Sequence, residues 1–129
     1  MIRMRLLAEP AFAAHVPDTR LFNAGSIQSA PDLSSGKFGL LRFDSTLPGV
    51  GPVNRAQFFL YVYDRMGSYS GIRAALEVAK ERLRVTDPID HGDGYINQIL
   101  WQGISGELVD DVWRASLQFA TFEVVFSGT

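Results

Sequence analysis

The stretch that departs most from a simple pattern is Phe58–Tyr63, six apolar or aromatic residues in a row within "NRAQFFLYVYDR". A strand with one face in water alternates polar and apolar side chains. Here both alternate sets are apolar: Phe58, Leu60 and Val62 on one face, Phe59, Tyr61 and Tyr63 on the other. Arg55–Asp64 is therefore expected to be a strand that needs cover on both sides. "FGLLRFD" at Phe38–Asp44 reads as its antiparallel neighbour. Between them "STLPGVGPVN" carries the Gly and Pro residues of a hairpin loop.

After "RMGS" the period changes. Ile72, Ala75, Leu76, Ala79 and Leu83 recur at spacings of three and four, one apolar stripe of a helix running to about Arg84. Ser68 or Ser70 is placed to cap its start. Arg73 with Glu77, Glu77 with Lys80 and Glu81 with Arg84 are helix-spaced charge pairs on the other faces. Downstream, "YINQILWQGISG" contains a strand ending near Gly106, and "ELVDDVWR" reads as a short turn or bulge. Ala115–Phe126, "ASLQFATFEVVF", is the last strand, again apolar on both faces. Upstream, Met1–Ala14 reads as a short helix with Leu6, Leu7 and Phe12 buried. The segment Asp18–Ser35, with "SAPDLSSGK", reads as a long loop.

The order helix, strand, strand, helix, strand, strand predicts an α+β fold: one domain over residues 1–129, a mostly antiparallel sheet with helices packed on one face. The helices supply one layer only. Either a second subunit covers the other face, or the long loops fold back over it. On the first reading Arg55, Phe59, Tyr61, Tyr63 and Trp113 are the candidate interface residues.

Composition narrows the function. The chain has 129 residues, 47% hydrophobic and 20% charged, with a formal net charge of -2 and no Cys. Mild acidity argues against a protein whose affinity comes from wrapping DNA or coating anionic lipid. Without Cys there is no disulfide or thiol chemistry. The first residues hold no apolar run long enough for a signal peptide, and nothing approaches the roughly 20 apolar residues of a membrane helix. A soluble chain kept in the cytoplasm is expected.

Candidate chemistry is thin. Asp87, Asp90, His91 and Asp93 crowd one loop, but they lack the ordered ligands and closing Glu of a calcium loop, and no metal is expected there. His15 and His91 are the only histidines, at no metal-ligand spacing. Ser105 in "GISGE" lacks the Gly-x-Ser-x-Gly turn of a hydrolase, so a Gly-permitted bulge is the better reading. Arg42, Arg55 and Arg65 lie near Asp44 and Asp64 and suit local ion pairs or pairs across an interface. Trp101 and Trp113 fit a core or an interface anchor equally. No catalytic residue, metal or cofactor is expected. The alternative class is a small-ligand-binding or hydrolytic domain that uses the apolar sheet as a pocket floor, with Tyr61, Trp101 and His91 near its mouth.

The segments "LLRFDSTLPGVGPVNRAQFFLYVYDRMGSYSGIRAALEVAKERL" at Leu40–Leu83 and, more loosely, "LWQGISGELVDDVWRA" at Leu100–Ala115 resemble the tail terminator proteins of long-tailed, non-contractile bacteriophages, especially those of actinobacteria. The shared pattern is a strand, a Pro-Gly-rich hairpin loop, an aromatic strand ending in "YDR", and a "GSY" turn into an amphipathic helix. The strand after "GPV" is often strongly basic in that family, whereas here it offers only Arg55. The resemblance implies a structural protein of the virion, made in the host cytoplasm. Its subunits would form a homo-oligomeric ring, a hexamer, that caps the tail tube and ends its polymerisation. Its partners would be the tail-tube protein and a head-completion protein, with DNA passing through the lumen without specific binding and no membrane involved. Another head–tail completion or neck protein is the neighbouring role.

Overall fold

The computed structural model describes residues 10–17, 20–23, 33, 36–48, 53–83, 89–90 and 94–128. The elements are α1 (Pro10–Ala13), β1 (Leu21–Asn23), β2 (Phe38–Pro48), β3 (Val53–Arg65), α2 (Ser70–Arg82), β4 (Ile89–Asp90), β5 (Gly94–Ile104), β6 (Leu108–Asp110) and β7 (Ala115–Gly128). They form one seven-stranded sheet in the order β1-β2-β3-β7-β5-β4, with β6 also on β7. All pairings are antiparallel except β1 with β2. The fold is the expected α+β class, a mostly antiparallel sheet with a helix against it.

The two apolar sets of β3 part as a pleated strand requires. Phe58, Leu60 and Val62 are buried against Ile72, Ala75, Leu76, Ala79 and Leu83, the stripe read from the helix spacing. Beneath α2, Phe58 stacks on Phe122 of β7, with ring centroids 4.9 Å apart and planes 8° from parallel. Phe12 and Val16, at and just after α1, join this cluster, as does Leu21 of β1. Trp101 of β5 closes its margin edge-on to Phe122, with the Lys80 ammonium 5.1 Å from the Trp101 ring centre.

Several elements differ from expectation. β2 continues to Pro48 and β3 starts at Val53, so the hairpin loop is shorter than "STLPGVGPVN"; residues 49–52 lie outside the described residues. A register shift between Phe43 and Thr46 absorbs the extra β2 residue. The segment read as one long loop at 18–35 contains β1. Three residues make little pattern of their own, and tertiary contact decides them. Leu21 packs so tightly on β2 that a Cβ at Gly39 would stand 3.0 Å from Leu21 Cδ1 and 3.3 Å from the Tyr61 carbonyl oxygen. "LVD" is a strand rather than a turn, because β3 occupies one edge of β7 and leaves the other for β5 and β6 in succession.

The start of α2 also differs. Its N-cap is Tyr69, which makes no side-chain capping bond, and neither serine takes that role. Instead the Tyr69 hydroxyl donates to the Leu108 carbonyl at 2.7 Å and ties the helix start to β6. A tertiary anchor replaces the local cap. Leu6 and Leu7 lie outside the described residues.

Leu76, fully buried between α2 and the sheet, tests this layer. Leu76→Ala should lower stability by about 2–5 kcal/mol through lost transfer energy plus an unfilled cavity. Urea unfolding should show a lower midpoint at an unchanged slope.

Candidate functional site

The second face of the sheet has no helix among the described residues, and it divides into three zones along β3. At one end Tyr63 stacks on Phe38 at 4.6 Å with planes 5° apart, and Trp113 leans on both rings at 5.4 and 5.8 Å. Leu40, Ala115 and Leu117 complete this second cluster, with Phe22 and Leu33 packed on it. Here the chain does fold back over its own sheet. Tyr63 is only 7% exposed, so the chain's own residues already spend its apolar area. Half-buried Trp113 acts chiefly as the lid of this cluster.

At the other end the face is polar. Gln57 Nε2 donates to Gln102 Oε1 at 3.0 Å, and Gln102 Nε2 donates to Glu123 Oε2 at 3.1 Å. Arg55 approaches Glu123 at 3.8 Å, an ion pair with one partner half in water and worth little by itself. Gln102 reaches this ladder because β5 bulges between Trp101 and Gly103, and Gly103 takes the positive φ of 151°. The glycine-permitted bulge read near "GISG" is present, two residues before Ser105.

Between these ends lies an open aromatic strip. Phe59, Tyr61 and Phe119 are all half-buried. Tyr61 and Phe119 are 5.1 Å apart, Phe59 and Phe119 meet edge-on at 6.0 Å, and Phe59 and Tyr61 are 6.3 Å apart. The antiparallel register places Tyr61 opposite Phe119 and Arg42 opposite Phe59. Arg42 lies over the strip, its guanidinium carbon 4.6 Å from the Phe59 ring centre and 5.6 Å from that of Tyr61. That contact is worth about 0.5–1 kcal/mol at an exposed site. Arg42 was expected to be part of an ion pair, within the chain or across an interface. The structure lays it on aromatic rings, because the pleat puts Phe59 and Tyr61 under it, and the Asp44 side chain lies outside the described residues.

Of the candidate interface residues, β3 brings Arg55, Phe59, Tyr61 and Tyr63 to one face, and Trp113 covers the Tyr63 end of it. Sequence reasoning did not single out Phe119 or Arg42 as members of the strip. The pairing register of β3 with β7 and β2 was the signal that would have found them.

The chemical alternatives fare as follows. Tyr61 and Trp101 lie on opposite faces of the sheet, so they cannot flank one pocket mouth; His91 lies outside the described residues. The Ser105 hydroxyl donates to the Gly106 carbonyl and accepts the Phe119 N–H, both at 2.9 Å, which ties the β5–β6 junction to β7. The Ser105 carbonyl also accepts from Gln118 Nε2 at 3.1 Å. Ser105 thus holds structure at this junction. Asp90 sits in β4 opposite Tyr95, while Asp87 and Asp93 lie outside the described residues. Among the described residues no cluster of His, Cys, Asp or Glu could hold a metal, and no helix is long and apolar enough to cross a membrane.

The solved structure of the virion of a native gene transfer agent (GTA) particle contains a chain similar to this one, with a TM-score of 0.70 at 14% identity. The match covers 98% of this chain and 92% of that chain. The two share a fold. No family model matches the sequence, and no curated protein matches it.

The zones predict different losses on truncation. Trp113→Ala should cost roughly 2 kcal/mol or more by opening the covered cluster. Tyr61→Ala should cost about 1 kcal/mol, the scale of an aromatic pair. Chemical denaturation of the two variants in parallel checks the order.

A pH effect follows from Tyr63. Burial, then the nearby Asp110 carboxylate and Tyr61, raise its phenol from 10.0 to about 12. The folded state therefore favours the neutral phenol. Its stabilising effect is complete below pH 10 and is lost as pH rises from about 10 towards about 12, where the unfolded chain ionises first. Tyr63→Phe should flatten that part of the stability–pH curve. An unchanged curve for the variant would contradict the assignment.

Proposed function

We propose that this chain is a structural assembly protein of a phage-type particle and acts as a tail terminator. It closes the head-proximal end of the tail tube, ends tube polymerisation and forms part of the head–tail junction. The observation that carries this reading is a fold shared over 98% of the chain with a chain from a virion. The sequence resemblance around "LPGVGPV" and "YDRMGSY" supports it independently.

Two further features fit the role. Among the described residues the sheet leaves an aromatic strip only half-buried, in the middle of a face whose two ends are occupied by a closed cluster and a polar ladder. Half-buried aromatics bounded by polar groups are the anatomy of a protein contact. The formal net charge of -2 suits a lumen through which DNA slides, since many phosphate contacts would hold the nucleic acid in place. In this reading the copies form a ring, a hexamer by the resemblance. The tail-tube protein lies on one side and a head-completion protein on the other. Arg55, Phe59 and Tyr61 contribute to the contacts, and the chain works by binding, with no catalytic step or cofactor.

The test mixes the purified chain with the tail-tube protein of the same particle. The expected outcome is a stoichiometric complex by light scattering and, in electron micrographs, shorter tubes capped at one end. Tubes of unaltered length with no bound chain would contradict tail termination. Binding to the head-completion protein alone would move the role to the neck.

A further inference from the structure

We infer that copies of this chain dock through unlike surfaces, with the turn at Asp111 and Val112 of one copy seated on the Arg42–Phe59–Tyr61–Phe119 strip of the next. The inference rests on the assembly reading above and names the contact within it.

The turn after β6 is built to hold an apolar tip out in water. Asp110 Oδ1 accepts the Trp113 N–H at 2.9 Å, closing the turn from within. Trp113 is anchored on Phe38 and Tyr63. Arg114 takes a φ of 51°, a left-handed conformation that side-chain-bearing residues seldom adopt. Between these fixed points Val112 is 89% exposed, and Leu108 and Val109 beside it are 41% and 50% exposed. Asp111 is exposed and pairs with no cation among the described residues. An apolar tip clamped on both sides is a preformed knob, which loses little conformational freedom on binding.

The strip is the complement of that knob. Phe59, Tyr61 and Phe119 form an apolar floor, and Arg42 lies over it, exposed and without a carboxylate partner among the described residues. A guanidinium stacked on rings keeps its edge N–H groups free, in the fork geometry that a carboxylate accepts. The knob offers a valine and a carboxylate; the strip offers rings and a guanidinium. Pairing strip with strip would set Arg42 against Arg42, so the charges favour contact between unlike patches. Contacts of that kind pass from copy to copy and close into a ring when the rotation allows.

Charge reversal tests the pairing on the full chain. Both side chains are exposed, so both variants should fold: Asp111→Arg should keep the parent's unfolding temperature, and Arg42→Asp should lower it only by what the lost ring contact accounts for. In sedimentation analysis, alone and with tail-tube protein, each single variant should associate at least about tenfold more weakly than the parent, as opposed charges become like charges. An equimolar mixture of the two variants should recover association, its contacts alternating between the parent's Arg42–Asp111 pairing and the reversed one, as should the double variant, in which every pair is reversed. If either reversal disturbs folding, Arg42→Gln and Asp111→Asn should give the same direction with a smaller loss. Single variants that associate like the parent, or a mixture that fails to recover, would overturn this contact and leave the assembly reading standing. A parent chain that stays monomeric in both conditions would overturn both.

Discussion

Stacking of Phe58 on Phe122 beneath α2 is the interaction around which the rest is arranged, because it commits β3 and β7 to one face for their helix-covered core. Once those rings turn towards Leu76 and Ala79, the pleat sends Phe59, Tyr61, Tyr63 and Phe119 to the other side. That side has no helix among the described residues. The chain must then cover a second apolar face with whatever its loops and strand ends can supply. Tertiary choices far apart in sequence, from β1 to the turn after β6, serve that requirement.

The cover it finds is partial and graded. Trp113, Phe22 and Leu33 close the Tyr63 end, and hydrogen-bonded glutamines with Glu123 make the opposite end self-sufficient in water. The middle is left to Arg42, whose flat guanidinium shields two rings and still offers donors outward. A completely buried face would have left nothing to bind, and a completely bare one would invite indiscriminate association. The graded face leaves a small, bounded aromatic surface, which suits the assembly role proposed above.

Much of the architecture was legible in the chain because it rests on strong local periodicity. The stripe Ile72–Leu83 and the double-faced run Phe58–Tyr63 gave the helix, the central strand and the need for two covers. What stayed hidden depends on contacts between segments distant in sequence. β1 at Leu21–Asn23 sits in a stretch rich in turn-forming residues and is held by its fit on Gly39. Tyr69 reaches β6, so no serine caps α2. The two explanations for the second face, folded-back loops or a partner, looked like alternatives. The structure uses the first at the Tyr63 end and leaves Phe59, Tyr61 and Phe119 open. Periodicity alone cannot divide a face in this way, since Tyr61 and Tyr63 look equivalent until Trp113 is placed.

Side-chain footprinting with hydroxyl radicals, comparing the dilute chain alone with the chain mixed with tail-tube protein, tests the proposed contact role of the strip most directly. Oxidation of Phe59, Tyr61 and Phe119 should fall on assembly, while Tyr63, already buried within the chain, should stay low in both states. Strip residues that oxidise equally in the free and assembled chain would contradict the account.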